Sequence, residues 1–285
     1  MCSVLQIICF HVGQVPYRLT ALKSQLSSDS PDMEAILPNR TFSIPNARSA
    51  PPTSPVRRRT RPRRISAEIE EIRVCTNRTC RRQGSFQTLE TLTGIAPANV
   101  SVKSCGCLGR CGTGPNLVAL PEGVTVSHCG TPARAAEVLV GLCGGGVWNS
   151  NDAEKSLEAL AMRKKAEKEM EIGNFSKAEL LLSQAIELKP IGGIYIMYKD
   201  RSIARLALGR FSDSLGDAKE ALSQNSRYPE AYICQGDAFF AMDQLDLAEK
   251  SYLRALDIDP SIRRSKSFKA KVATLQEKLA AVNMP

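Results

Sequence analysis

Four cysteines near the middle of the chain have residue types and spacing suited to metal chemistry. Cys75 and Cys80 stand in a C-x4-C arrangement. Cys107 and Cys111 form a C-x3-C pair inside Gly106-Cys107-Leu108-Gly109-Arg110-Cys111-Gly112-Thr113-Gly114-Pro115. Glycines flanking a cysteine pair let the backbone wrap closely around a bound group and turn amide N–H groups toward it. Four thiolates in two pairs suit a [2Fe-2S] cluster or a zinc ion. Zinc ribbons usually use C-x2-C knuckles, and the ten cysteines of this chain include no such pair. Disulfides would need an oxidising route, and the apolar run Val4 to Phe10 has neither a preceding basic residue nor a prompt small-residue cleavage site. A Rieske centre would need two histidine ligands, and the only histidines are His11 and His128.

The elements that must position these cysteines occupy residues 67 to 143. Glu71 to Val74 alternates as a strand and delivers Cys75, a polar helix follows from Arg81 to Leu92, and Val100 to Ser104 alternates again. Asn116 to Leu120 and Val124 to Ser127 read as strands around a Pro-Glu-Gly turn, and Thr131-Pro132 opens a helix that runs to about Leu142. The order is β-α-β-β-β-α. A domain this small, with few large apolar side chains, requires a staple. Cys105 reads as a half-buried strand residue, and Cys129 and Cys143 as packing residues.

On these residues the segment resembles the thioredoxin-like [2Fe-2S] ferredoxins, a family that includes the ferredoxin-like subunit of NADH dehydrogenases. The matching stretches are Val74-Cys75 to Cys80, Gly106 to Pro115, and the closing helix at Thr131-Pro132. The resemblance implies an α/β thioredoxin-like ferredoxin fold, a [2Fe-2S] cofactor, and Cys75, Cys80, Cys107 and Cys111 as its ligands. Arg78, Arg81, Arg82 and Arg110 surround the ligand pairs. Positive charges there raise a cluster's potential, because they stabilise its reduced form. They also offer a rim to an acidic redox partner.

A second domain follows, from 152 to 285, after a Gly-rich connection at 144–151. Ala166, Ala178 and Ala185 are separated by 12 and 7 residues, as are Ser202, Ser214 and Ala221, and Gly236, Ala248 and Ala255. A turn recurs at one place in each frame: Gly173-Asn174-Phe175, Gly209-Arg210-Phe211 and Asp243-Gln244-Leu245. Each unit is thus two helices joined by a tight turn, with small residues where the helices touch. This pattern is similar to the tetratricopeptide repeat (TPR), and predicts an all-α solenoid with units at 159–192, 195–228 and 229–262. Two extra residues, Gly193 and Ile194, separate the first unit from the second. An amphipathic helix from Lys266 to Val282 closes the array as a cap.

Such arrays bind proteins or peptides in a concave groove, and one variant grips the C-terminal carboxylate of chaperones through basic and Asn side chains. The corresponding positions are read as Arg163, Glu167, Asp200, Ile233 and Asp237. Only one is basic. The three acids point instead to a basic or mixed-charge segment.

Charge narrows the function classes further. The chain carries 38 Lys and Arg against 29 Asp and Glu, a net of +9. Residues 1–66 hold ten basic and three acidic side chains, leaving 28 against 26, or +2, for the rest. The folded part therefore lacks the basic footprint of a nucleic-acid binder. No run of 18 apolar residues predicts a transmembrane helix. The Arg-rich, Ser-rich and acid-poor character of 1–66 reads as an organelle transit peptide, with plastid stroma ahead of mitochondrion and Met33 as a candidate start. No G-x-G-x-x-G, P-loop, G-x-S-x-G or H-E-x-x-H motif is present. The expectation is a non-enzymatic, protein-binding adaptor with a redox-active [2Fe-2S] head, serving assembly or regulation of a plastid complex of the plant type. The alternative is an electron-transfer protein whose repeats dock an oxidoreductase.

Overall fold

The computed structural model describes residues 69–143 and 149–282. The segment read as a transit peptide, the candidate start Met33 and residues 144–148 of the Gly-rich connection lie outside these. The cysteine-bearing part comprises β1 (Glu71–Cys75), α1 (Arg78–Arg82), α2 (Ser85–Ile95), β2 (Ser101–Cys105), a 3-10 turn at Cys111–Thr113, β3 (Leu117–Leu120), β4 (Val124–Val126) and α3 (Pro132–Cys143). One four-stranded sheet has the order β2-β1-β3-β4. β1 and β2 run parallel, pairing Ile72 with Val102 and Cys75 with Cys105, so α1 and α2 supply the crossover that a parallel pair requires. β3 is antiparallel to β1, and β4 to β3. The core is small: Ile72, Val74, Leu92, Ile95, Leu117 and Leu139 are its largest fully buried aliphatic side chains.

One local detail departs from expectation. The helix predicted at Arg81 to Leu92 is two helices, because Gly84 takes a left-handed φ of 92° that helical backbone does not allow. The break lets α1 turn Cys80 inward while α2 follows its own course, through Gly94 to Ile95. The start of α3 is as read, with the Thr131 hydroxyl accepting from the Arg134 N–H at 3.2 Å.

The repeat part comprises α4 (Ser150–Glu171), α5 (Phe175–Glu187), α6 (Ile194–Ala207), α7 (Phe211–Gln224), α8 (Pro229–Ala241), α9 (Leu245–Ile258) and α10 (Lys266–Val282). The nine small residues of the repeat fall where helices meet. Ala166, Ala178, Ala185, Ser202, Ser214, Ala221, Ala248 and Ala255 are each fully buried. A Cβ on Gly236 would lie 2.4 Å from a Tyr252 ring carbon. The serine pair replaces alanine contact with hydrogen bonds, the two hydroxyls lying 3.0 Å apart. Gly173, Gly209 and Asp243 hold left-handed φ values of 82°, 76° and 55° in the three turns.

α4 begins nine residues before the predicted start of the first unit. Asn149 caps it through a capping box, its side chain accepting from the Asp152 N–H at 2.9 Å while its own N–H donates back to Asp152. These added turns have a second use: Ala153 and Leu160 belong to the same apolar core as Ile72, Leu92 and Leu139, with Leu157 and Ile191 packed against it. The Gly-rich connection therefore does not separate two independent bodies. Residues 69–143 and 149–282 form one compact unit.

The junction between the first two repeats lies hard against the end of α2. A Cβ on Gly192 would stand 1.9 Å from the Ile95 carbonyl oxygen, and one on Gly193 1.9 Å from the Gly94 oxygen. Only bare backbone fits against the end of α2. Gly94 is itself pressed on Leu160, and Lys164 pairs with Glu90 at 2.9 Å across the same boundary.

Candidate metal centre and peptide groove

The four sequence-predicted cysteines arrive from different elements. β1 ends at Cys75, α1 carries Cys80, and the glycine-rich loop before β3 carries Cys107 and Cys111. Cys75 and Cys80 are 1% and 2% exposed, whereas Cys107 and Cys111 are at the surface. Within the second pair the sulfurs lie 3.5 Å apart. Cys75 interacts with both Cys80 and Cys107, so the two pairs converge.

Burial pushes the Cys75 thiol up. The backbone N–H groups of Asn77 and Leu108, then the thiols of Cys80 and Cys107, outweigh that and hold it below the ordinary value. Burial raises the Cys80 thiol, and the Cys75 sulfur adds to this against the opposing pull of Asn116. The Cys111 thiol is raised by the Cys107 sulfur beside it. Crowding negative sulfurs together is what a cation relieves, and thiolate ligands bind in the deprotonated form. Donors for the sulfurs are in place: the Gly109 N–H lies 3.4 Å from Cys107 Sγ, and Asn116 Nδ2 lies 3.6 Å from Cys80 Sγ. Gly114 packs against Cys80, where a Cβ would meet Sγ at 2.7 Å.

Among the described residues, no group of three or more His, Cys, Asp or Glu side chains is placed so that it could hold a metal ion. A structural zinc asks for four ligands on one ion. A two-iron cluster asks for two thiolates at each iron. Cys105 is half-buried beside Cys75 in the parallel register, and Cys129 is fully buried.

The predicted groove residues lie on the first helices of the three hairpins: Arg163 and Glu167 on α4, Asp200 on α6, Ile233 and Asp237 on α8. Three of them meet. Arg163 reaches Glu167 at 3.3 Å and Asp200 at 3.4 Å, and Lys199 also donates to Asp200. Burial raises the Glu167 carboxyl, with Arg163 opposing. Asp237 is held elsewhere, by the Tyr252 hydroxyl at 2.6 Å and the Lys271 ammonium of α10 at 2.6 Å. Ile233 lines a cleft of about 170 Å³ with Glu230, Ile262, Phe268 and Lys271.

From sequence, Cys234 beside Ile233 reads as groove or core packing, and its charged surroundings are missed. The repeat spacing of 34 carries Asp200 to Cys234, two residues before Gly236 just as Asp200 lies two before Ser202. Cys234 is buried, feels Lys199, Asp200, Asp237 and Lys271, and has its thiol pushed up to about 12, first by burial. Glu230, one turn earlier, faces Tyr195 and Tyr228, whose rings meet edge to face at 4.9 Å. Lys199 and Lys271 were legible only once the helices were packed. The groove is therefore a mixed-charge surface whose Arg163, Lys199 and Lys271 already hold carboxylates of the chain.

Residues 229–262 match the family model described as tetratricopeptide repeat. The chain is 32% identical over 115 residues to the Hsp70-Hsp90 organising protein of Plasmodium falciparum, covering 40% of this chain and 45% of that one. It is 32% identical over 104 residues to heat shock protein STI1 of Saccharomyces cerevisiae, covering 36% and 18%. This chain thus spans less than half the length of either relative. A solved structure of the first TPR domain of human RPAP3 aligns with TM-score 0.40 at 24% identity, covering 44% of this chain and 94% of that one. The helical region is a TPR solenoid. Among the described residues, no helix is long and apolar enough to cross a membrane.

Proposed function

We propose that this protein is a non-enzymatic adaptor: a TPR groove that holds a protein segment, joined rigidly to a thioredoxin-like ferredoxin head with a [2Fe-2S] cluster. The carrying observation is the meeting of Cys75, Cys80, Cys107 and Cys111 as two pairs at one edge of the small sheet. A β2-β1-β3-β4 order with one parallel pair supports the ferredoxin resemblance. The cluster, held by these four thiolates, would supply one-electron redox chemistry. What the chain itself provides is exclusion of water from Cys75 and Cys80, and N–H donors at Cys75 and Cys107. Anaerobically purified protein should contain two irons and two labile sulfides per chain and be red-brown; colourless protein with one zinc would overturn the proposal.

For the groove we propose a mixed-charge partner segment. The Plasmodium falciparum relative is named as an organiser of Hsp70 and Hsp90, but an acidic chaperone tail entering here would compete with Glu167, Asp200 and Asp237 for Arg163 and Lys271. The acidic peptide SRMEEVD should accordingly show no saturable binding below about 1 mM, a free energy of about −4 kcal/mol. Micromolar binding would return the groove to the chaperone-tail class. The composition of residues 1–66 supports import into the plastid stroma, tested by imaging a fluorescent fusion of that segment.

A further inference from the structure

The cysteine site has an electrostatic rim that the adaptor function leaves unused. Arg78, Arg81 and Arg82 are exposed on α1, the helix that holds Cys80 inward. Arg110 is exposed in the loop between Cys107 and Cys111. Asn116 ties the two segments together, its Nδ2 donating to the Arg110 carbonyl at 2.7 Å and lying 3.6 Å from Cys80 Sγ. The Arg81 guanidinium lies 4.9 Å over the Phe86 ring, which is 50% exposed.

No acid answers this charge. Between Thr76 and Thr113 the sequence has a single carboxylate, Glu90, and Lys164 holds it at 2.9 Å. Among the described residues, none of the four arginines has an ion-pair partner. Residues 69–143 carry seven basic and five acidic side chains, a net of +2, so the rim concentrates +4 on an otherwise slightly acidic domain. A nucleic-acid footprint comes with a strongly basic domain, whereas this domain nets only +2 and its charge lies beside the exposed thiols.

We infer that the rim is a docking surface for an acidic protein whose charged face closes over the Cys107–Cys111 edge. The inference rests on the cluster reading, since that edge is where the cofactor comes nearest to a partner. Arginine and exposed aromatic side chains are the residues that dominate protein interfaces energetically. Unpaired charge around a contact also steers a complementary partner toward it.

The test uses the full chain, purified anaerobically, with a strongly acidic flavodoxin as probe and calorimetric titration as readout. Expected is saturable one-to-one binding that weakens steeply between about 20 and 200 mM salt, as the screening length shrinks. The combined Arg78→Gln, Arg81→Gln, Arg82→Gln and Arg110→Gln variant should bind at least about tenfold more weakly while keeping wild-type iron content. A matched variant, with Arg263, Arg264, Lys266 and Lys269 each changed to Gln on the exposed C-terminal segment, should bind as wild type. Absence of saturable binding, equal loss in both variants, or tighter binding to single-stranded DNA than to flavodoxin would overturn the inference. Charge-dependent binding by protein without iron would instead sink the cluster reading and leave the rim standing.

Discussion

Replacing Gly192 by alanine should uncouple the two halves of the molecule. The added Cβ would stand 1.9 Å from the Ile95 oxygen, 2.5 Å from its carbonyl carbon and 2.7 Å from the Ala96 carbonyl carbon. All three are backbone atoms at the end of α2, so no rotamer change relieves the clash. Real Cβ contacts below 3.0 Å essentially do not occur. The inter-repeat loop must therefore retreat from α2 by more than about 1 Å, and the core shared through Ile191 and Leu160 opens with it; overpacking of this kind costs about 1–3 kcal/mol. At this chain length that corresponds to a midpoint lower by roughly 3–10 °C. Urea unfolding would be followed with two probes: far-UV circular dichroism for the helices, and alkylation of the fully buried Cys129, read by mass spectrometry, for the small sheet. Wild type should give coincident transitions, and the variant two separated ones. Gly216→Ala is the control: Gly216 lies exposed on α7 with nothing within 4 Å of its would-be Cβ, and should gain roughly 0.5–1 kcal/mol. Coincident transitions for Gly192→Ala at the wild-type midpoint would refute the reasoning.

Other perturbations bear on the site and the groove. Cys107→Ser should abolish iron binding and lower the urea midpoint of the small sheet, because metal binding and folding are coupled; unchanged iron content would remove Cys107 from the ligand set. Asp200→Ala leaves Arg163 and Lys199 without their shared carboxylate at a site where Asp200 is only 3% exposed, and should cost about 3–5 kcal/mol by denaturant titration. Cys234 keeps its proton in the folded state up to about 12, against an ordinary value of 9.0. The unfolded chain thus loses that proton first, so stability falls as pH rises above about 9, by at most about 1.4 kcal/mol per pH unit. Cys234→Ala should flatten the curve between pH 9 and 10, beyond which Tyr228 and Tyr252, also raised by burial, take over. Gly209→Ala, at φ 76°, should destabilise the second hairpin by roughly 1 kcal/mol in thermal unfolding.

The repeat was legible because its signal is periodic and repeated: the spacing of 12 and 7 places Ala166, Ser202 and Gly236 at the same packing point three times. The strands of the small sheet were legible from alternation. What stayed hidden depended on contacts between distant segments. Nothing local marks Ala153 and Leu160 as belonging to the core of another sheet, since an alanine and a leucine on a helix look alike whichever neighbour they meet. The insertion at Gly193 was visible as a break in period, but its use appeared only when the end of α2 was found against it. Asp237 read as a free groove carboxylate because its partner, Lys271, lies 34 residues away on the capping helix.

The shared core also changes what counts as a module in this protein. A fragment beginning at Ser150, the natural cut for someone wishing to transplant the solenoid, would bare Ala153, Leu157, Leu160 and Ile191 to water. The sheet stripped of its helical neighbour would be left with the complementary wound. The small sheet domain thus does for the upstream end of the array what α10 does for the downstream end, and a change of shape at either terminus has a mechanical path into the hairpins between them.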